Sequence, residues 1–100
     1  MSANSEPSVR TAPAGEPTAE ISVVLPADLH ARPAGRIAQA AARFTSDLLL
    51  QFGERSANAA GVLAVMGLGA TAGRTVTVRA QGPDAQAAAA ALAEILATAT

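Results

Sequence analysis

Thr75-Val76-Thr77-Val78-Arg79-Ala80 alternates apolar and polar residues without a break, between turn signals at Gly73 and at Gly82-Pro83-Asp84. Successive side chains of a strand point to opposite faces, so this stretch buries one face and leaves the other wet. A sheet built from such strands needs a cover on one side only. Ile21-Ser22-Val23-Val24-Leu25 is a second alternating, β-branched run. Asp47–Phe52 is a third, with Leu48, Leu50 and Phe52 on one face. Gly53-Glu54 then marks a tight turn, and Arg55–Ala59 can return as a weakly apolar edge strand.

The cover comes from segments with helical spacing. Ala34, Ile37, Ala38, Ala41 and Phe44 recur at three- and four-residue steps, which predicts a helix over Ala31–Phe44. Asp84 is placed as the N-cap of a last helix whose stripe is Ala85, Ala88, Ala89, Leu92, Ile95 and Leu96. Between them, the apolar run from Gly61 to Gly69 is too short for periodicity to decide; a short helix starting near Gly61 and ending near Gly67 or Gly69 is favoured. The order is β-α-β-β-α-β-α. It fits an α+β fold in which a four-stranded, mainly antiparallel sheet is covered by helices on one face. The first strand–helix–strand passage is expected to skip a position in that sheet.

Composition sets the outer bounds. One hundred residues allow one domain. Residues 1–18, rich in Ser, Pro, Ala, Glu and Thr and without periodicity, are expected to form a disordered N-terminal tail, leaving a folded domain over 19–97. Only two residues are aromatic, so the core must be aliphatic and alanine-heavy. The net charge of −1 argues against a nucleic-acid partner. With no cysteine and a single histidine, neither a disulfide nor a metal site is expected. No apolar run is long enough to enter a membrane, and the N-terminus lacks a signal-peptide core, so a cytoplasmic location is expected.

That single histidine, His30, sits where the first strand gives way to the first helix. Pro26-Ala27-Asp28 breaks the strand, and Pro33 falls in the first helical turn, where its missing amide costs nothing. His30 is therefore at or near the N-cap. The amides that follow are unpaired and carry the positive end of the helix dipole, which makes them a ready anion site. Ala31 and Arg32 can offer their N–H groups to an anion on the ring, and the Arg32 guanidinium can add a charge-assisted contact. A nucleophilic ring nitrogen beside such a pocket suits a histidine that takes and gives away a phosphoryl group. Position alone favours the plainer alternative, an ordinary loop histidine beside a helix start. Arg32, Arg36 and Arg43 line one helix face, either a solvated face or a surface for an acidic partner. Val62, Leu63 and Met66 are either core or an exposed adhesive patch.

Two motifs in register narrow these alternatives: Leu29-His30-Ala31-Arg32-Pro33-Ala34, and Asn58-Ala59-Ala60 through Val65-Met66-Gly67-Leu68-Gly69. From about Ala19 to Leu96 the chain resembles HPr, the histidine-containing phosphocarrier of the phosphoenolpyruvate-dependent sugar phosphotransferase system. The resemblance implies an open-faced β-sandwich, with four antiparallel strands under three helices. It implies a phosphoprotein in which His30 takes a phosphoryl group from enzyme I on Nδ1, the pros nitrogen, and passes it to an enzyme IIA in sugar transport. Arg32 would balance the charge, and the amides of Ala31 and Arg32 would hold the oxygens. Leu29, Ala31, Arg36, Val62, Leu63 and Met66 would form the transient docking surface of a monomer that needs no cofactor. No second acid–base residue can be placed near His30, so a carrier rather than a self-sufficient enzyme is expected. The alternatives are a carrier for a specialised branch, such as a dihydroxyacetone or nitrogen-related relay, and a regulatory binding module that is not phosphorylated.

Three residues depart from the family pattern. Gly61 stands where many relatives carry a regulatory serine, so that regulation is not expected. Asp28 stands where glycine usually precedes the Leu-His pair; a carboxylate so close is expected to favour the charged ring or repel incoming phosphate. Gln39 and Ala42 replace basic residues of the first helix, with Arg36 and Arg43 available to compensate.

Overall fold

The computed structural model describes residues 16–100. The tail expected over 1–18 thus falls, up to residue 15, outside the described residues. The elements are β1 (Thr18–Val24), α1 (Ala31–Ala41), β2 (Asp47–Phe52), β3 (Arg55–Asn58), α2 (Val62–Met66), β4 (Thr75–Gln81) and α3 (Ala85–Ala97). The four strands form one sheet in the order β1-β4-β2-β3, so the passage through α1 skips the position taken by β4. Every pairing is antiparallel, with Thr18 opposite Gln81 and Val24 opposite Thr75 at the two ends of β1. The fold is the one-face-covered antiparallel sheet expected from the alternation, and the open-faced α+β sandwich that the resemblance implied.

The alternating residues sort as the strand period requires. Val23, Leu48, Leu50, Ala57, Val76, Val78 and Ala80 are buried under the helices. The other face carries Glu20, Ser22, Gln51, Thr77 and Arg79, tied by a Glu20–Arg79 ion pair at 2.9 Å, an Arg79–Gln51 hydrogen bond at 3.2 Å and a Ser22–Thr77 hydrogen bond at 2.9 Å. Such exposed contacts add little stability and serve chiefly to keep this face wet and in register. Helix α1 buries Pro33, Ala34, Ile37 and Ala41, and α3 buries Ala85, Ala88, Ala89, Leu92, Ala93 and Leu96. With small side chains on its inner face, α3 can lie close to the sheet, so alanine methyls fill space that aromatic rings would occupy in another core.

Several boundaries differ from the sequence reading, each for a local reason. Helix α1 stops at Ala41 rather than Phe44, because Arg43 and Phe44 donate to carbonyls three residues back, at 3.1 and 3.2 Å, and tighten the last turn. Strand β1 starts at Thr18 rather than Ile21, since β4 offers a partner along its whole length, and Pro17 O accepts the Gly82 N–H at 2.9 Å. Phe52 is only half-buried; its ring lies under the Arg74 guanidinium, 5.2 Å from the centroid. Asp84 occupies the N-cap position of α3 but makes no side-chain cap. Its carboxylate instead reaches the α1–β2 connection, accepting the Thr45 N–H at 3.0 Å, the Ser46 N–H at 2.9 Å and the Ser46 hydroxyl. Ser46 Oγ in turn accepts the Asp84 N–H at 3.1 Å.

The Ser46 hydroxyl, then the Thr45 amide, hold the Asp84 carboxyl below its ordinary 3.8. A depressed carboxylate stabilises the fold above its unfolded value, and that contribution disappears as pH falls through the lower folded value. We expect Ser46→Ala to weaken the depression and so flatten the acid limb. Urea midpoints at pH 7 and below about pH 4 should differ less in the variant than in the parent. An equal or larger difference in the variant would show that Ser46 does not set this titration.

Candidate functional site

The site grows from the segment that joins β1 to α1. The chain bends at Pro26-Ala27 and then runs beside the loop between α2 and β4. Leu25 N–H donates to Arg74 O at 2.9 Å, Gly73 N–H to Leu25 O at 2.8 Å, and Leu29 N–H to Ala70 O at 3.0 Å. The next amide closes a three-residue turn, His30 N–H to Asp28 O at 2.9 Å. Leu29 is thereby driven into the core, where it is only 4% exposed. Leu29, expected on the exposed docking surface, is therefore a core residue instead.

His30 emerges as the N-cap of α1, with extended backbone (φ −88°, ψ −164°) and no side-chain cap hydrogen bond. Its carbonyl accepts the Ala34 N–H at 3.1 Å, which starts the helix. The residue is exposed, and its ring has no hydrogen-bond partner among the described residues. Pro33 has no N–H, and the amides of Ala31 and Arg32 have no acceptor among the described residues. No acidic side chain lies in the first turn to occupy them. An exposed imidazole thus stands at the head of a helix whose two free amides and Arg32 side chain favour an anion. Arg36, also exposed, follows one turn along.

Helix α2 packs beside α1. Val65 and Leu68 hold it to the core, whereas Leu63 is 82% exposed and Met66 37%. Val62 is half-buried and Ala31 exposed, so Ala31 on α1 and Leu63 and Met66 on α2, with the edge of Val62, are exposed apolar groups on two helices that pack together. The question of core or adhesive patch thus divides by residue. Sequence reasoning missed Arg55, whose Nη1 donates to Gly67 O at 3.3 Å and places a cation at the C-terminal end of α2. Asn58, read from the sequence only as part of the second motif, accepts the Ala60 N–H with its side chain at 2.9 Å and shapes the turn into α2; an asparagine before a helix start was the available signal for that role. Gly61 is the extended N-cap of α2, and a Cβ there would make only ordinary contacts, with Ala64 Cβ at 3.5 Å and Asn58 O at 3.6 Å. Asp28 turns its carboxylate to the Ala72 N–H, at 2.8 Å. A surface hollow of about 910 Å³ lies at the far end of the sheet among Thr18, Phe44, Asp47, Asn58 and Gln81, away from His30.

The arrangement defines a class by its geometry, a small open-faced α+β sandwich with an exposed histidine at the head of its first helix. The profile of the family described as "PTS HPr component phosphorylation site" matches residues 17–98. The chain is 40% identical over 67 residues to the HPr-like protein Crh of Bacillus subtilis, covering 67% of this chain and 79% of that protein. It is 38% identical over 68 residues to the multiphosphoryl transfer protein of Xanthomonas campestris, covering 68% of this chain but spanning only 8% of that much longer relative. Among solved structures, the phosphocarrier protein HPr of Bacillus anthracis superposes with a TM-score of 0.71 at 30% identity, covering 82% of this chain and 98% of that one. The chain belongs to the HPr family and is an HPr-family phosphocarrier domain.

Proposed function

We propose that His30 is the residue that carries the phosphoryl group, received from enzyme I and passed to enzyme IIA proteins of a sugar phosphotransferase system. The observation that carries this reading is the exposed, unengaged ring of His30 beside the two free amides of Ala31 and Arg32. In the first transfer Nδ1 of His30 attacks the phosphorus on the donor histidine. One P–N bond forms as the other breaks; the donor ring, protonated on its second nitrogen, leaves as neutral imidazole, and His30 keeps its proton on Nε2. The second transfer repeats this with His30 as the leaving group. The free amides and the Arg32 guanidinium hold the non-bridging oxygens, which carry the charge in both steps. A surface helix end stabilises the phosphorylated ring only modestly, which keeps onward transfer easy.

Both partners dock on the same surface, where Ala31, Leu63 and Met66 give apolar contact and Arg32 and Arg36 a basic rim. Such a carrier works in the cytoplasm as a monomer that separates from each partner. No described helix is long and apolar enough to cross a membrane. With glycine at position 61, the start of α2 offers no hydroxyl to a serine kinase.

The test is incubation with phosphoenolpyruvate and a cognate enzyme I, followed by intact mass at neutral pH. An acid-labile gain of one phosphoryl group is expected. No gain, with the enzyme I shown to be active, overturns the carrier reading and leaves a regulatory binding module. Leu63→Glu tests the docking surface. An 82%-exposed side chain contributes little to the fold, so the melting temperature should hold. Phosphoryl uptake from enzyme I should fall about tenfold or more, through KM, as expected for an apolar anchor replaced by a charge. Unchanged uptake would remove Leu63 from the interface.

A further inference from the structure

We propose that Asp28 is a positioning residue for His30: its carboxylate ties the segment carrying the histidine to the loop between α2 and β4. The inference rests on the carrier reading above. Backbone groups alone join these two segments at Leu25, through Arg74 O and Gly73 N, and at Leu29, through Ala70 O. Between those points the chain bends away at Pro26-Ala27, and Pro26 has no N–H to offer. The amide of Ala72 lies in that gap, and Asp28 Oδ1 reaches it at 2.8 Å across 44 residues of sequence. The same residue's carbonyl accepts the His30 N–H at 2.9 Å.

Asp28 therefore holds both sides of the junction, the opposite loop through its side chain and His30 through its backbone. The loop it grips needs gripping. It turns through Gly69 (φ 71°) and Gly73 (φ 85°), residues with the widest backbone freedom. With Leu29 pinned below and Asp28 pinned beside it, the N-cap backbone of His30 is fixed relative to the amides of Ala31 and Arg32. A carboxylate two residues from a phosphoryl acceptor carries the wrong charge for binding phosphate. Its hydrogen bond to Ala72 gives it a reason to be there that is geometric.

The test separates geometry from charge. Asparagine retains an Oδ1 that can accept the Ala72 N–H but carries no charge, whereas alanine has neither. Potassium phosphoramidate, a small donor that phosphorylates imidazole without a partner protein, reads the site independently of docking. Asp28→Ala should slow phosphohistidine formation at His30 by about fivefold, in the range expected for losing one charge-assisted hydrogen bond at a partly solvated site. Asp28→Asn should restore most of the parent rate. Hydrogen exchange should show the Ala72 amide protected in the parent and in Asp28→Asn and faster in Asp28→Ala. An Asp28→Ala protein that reacts as fast as the parent, or faster, overturns the proposal. So does an Asp28→Asn protein as slow as Asp28→Ala, since charge and not the bond would then matter. A parent protein that takes no phosphoryl group at His30 overturns the carrier reading and this proposal together. Normal uptake with no effect of Asp28→Ala overturns this proposal alone.

Discussion

His30→Ala should take up no phosphoryl group from enzyme I while melting within a degree or two of the parent, given the small effect of exposed substitutions. The two halves of this expectation come from one observation. The His30 side chain is exposed and makes no cap hydrogen bond, so the fold gains almost nothing from the ring. What the helix needs from residue 30 is its carbonyl, which accepts the Ala34 N–H, and alanine supplies that equally well. Phosphoryl capture, in contrast, has no substitute, because the sequence holds no other histidine and no cysteine. Intact mass after incubation with phosphoenolpyruvate and enzyme I, together with a thermal scan, checks both halves. Residual acid-labile phosphorylation in the variant would move the acceptor elsewhere. A large fall in melting temperature would show that the ring is part of the packing.

Gly82→Ala is expected to destabilise the fold strongly although it adds a single methyl group. At φ 144° the backbone of Gly82 lies where side-chain-bearing residues are strained. A Cβ there would also stand 2.7 Å from Ser46 Cα and 2.7 Å from Ser46 Oγ. One of those atoms is backbone, so relief requires the α1–β2 connection to move, and the hydrogen bonds of Thr45 and Ser46 to Asp84 move with it. Backbone strain and overpacking together should cost about 3 kcal/mol, or a melting temperature lower by roughly 10–20 °C in a domain of this size. Gly35→Ala supplies the contrast. It lies inside α1 with nothing within 4 Å of its added Cβ, so the substitution should stabilise by about 0.5–1 kcal/mol. Denaturant melts of both variants check the pair. Equal stabilities would mean that the close approach at Gly82 relaxes freely.

The elements and the place of His30 at a helix head were legible in the sequence because their causes are local. The alternation of Thr75–Ala80 fixes which side chains of β4 face the helices, whatever the strand lies beside. The short distance from the end of β1 to Pro33 puts His30 at the head of α1, and a helix head has free amides wherever it sits. The four-strand, three-helix sandwich followed from counting such segments.

Other features had no local cause and became visible only once the chain was folded. Asp84 has the residue type and place of an N-cap, and its carboxylate still serves Ser46, 38 residues away, because β4 and β2 bring the two turns to the same end of the sheet. Leu29 adjoins an exposed histidine in sequence and is nevertheless buried, because Ala70 draws its amide inward. Asp28 read as an unfavourable charge until Ala72 was seen opposite it. Arg55 starts the edge strand as read, and only the folded chain shows Gly67 O within reach of its guanidinium. The division has one physical origin. Periodicity, capping and turn preferences act over a few residues and are carried by any fragment of the chain. The partner of a side chain depends on which distant segment the packing of the core returns to its side, and only the tertiary structure decides that.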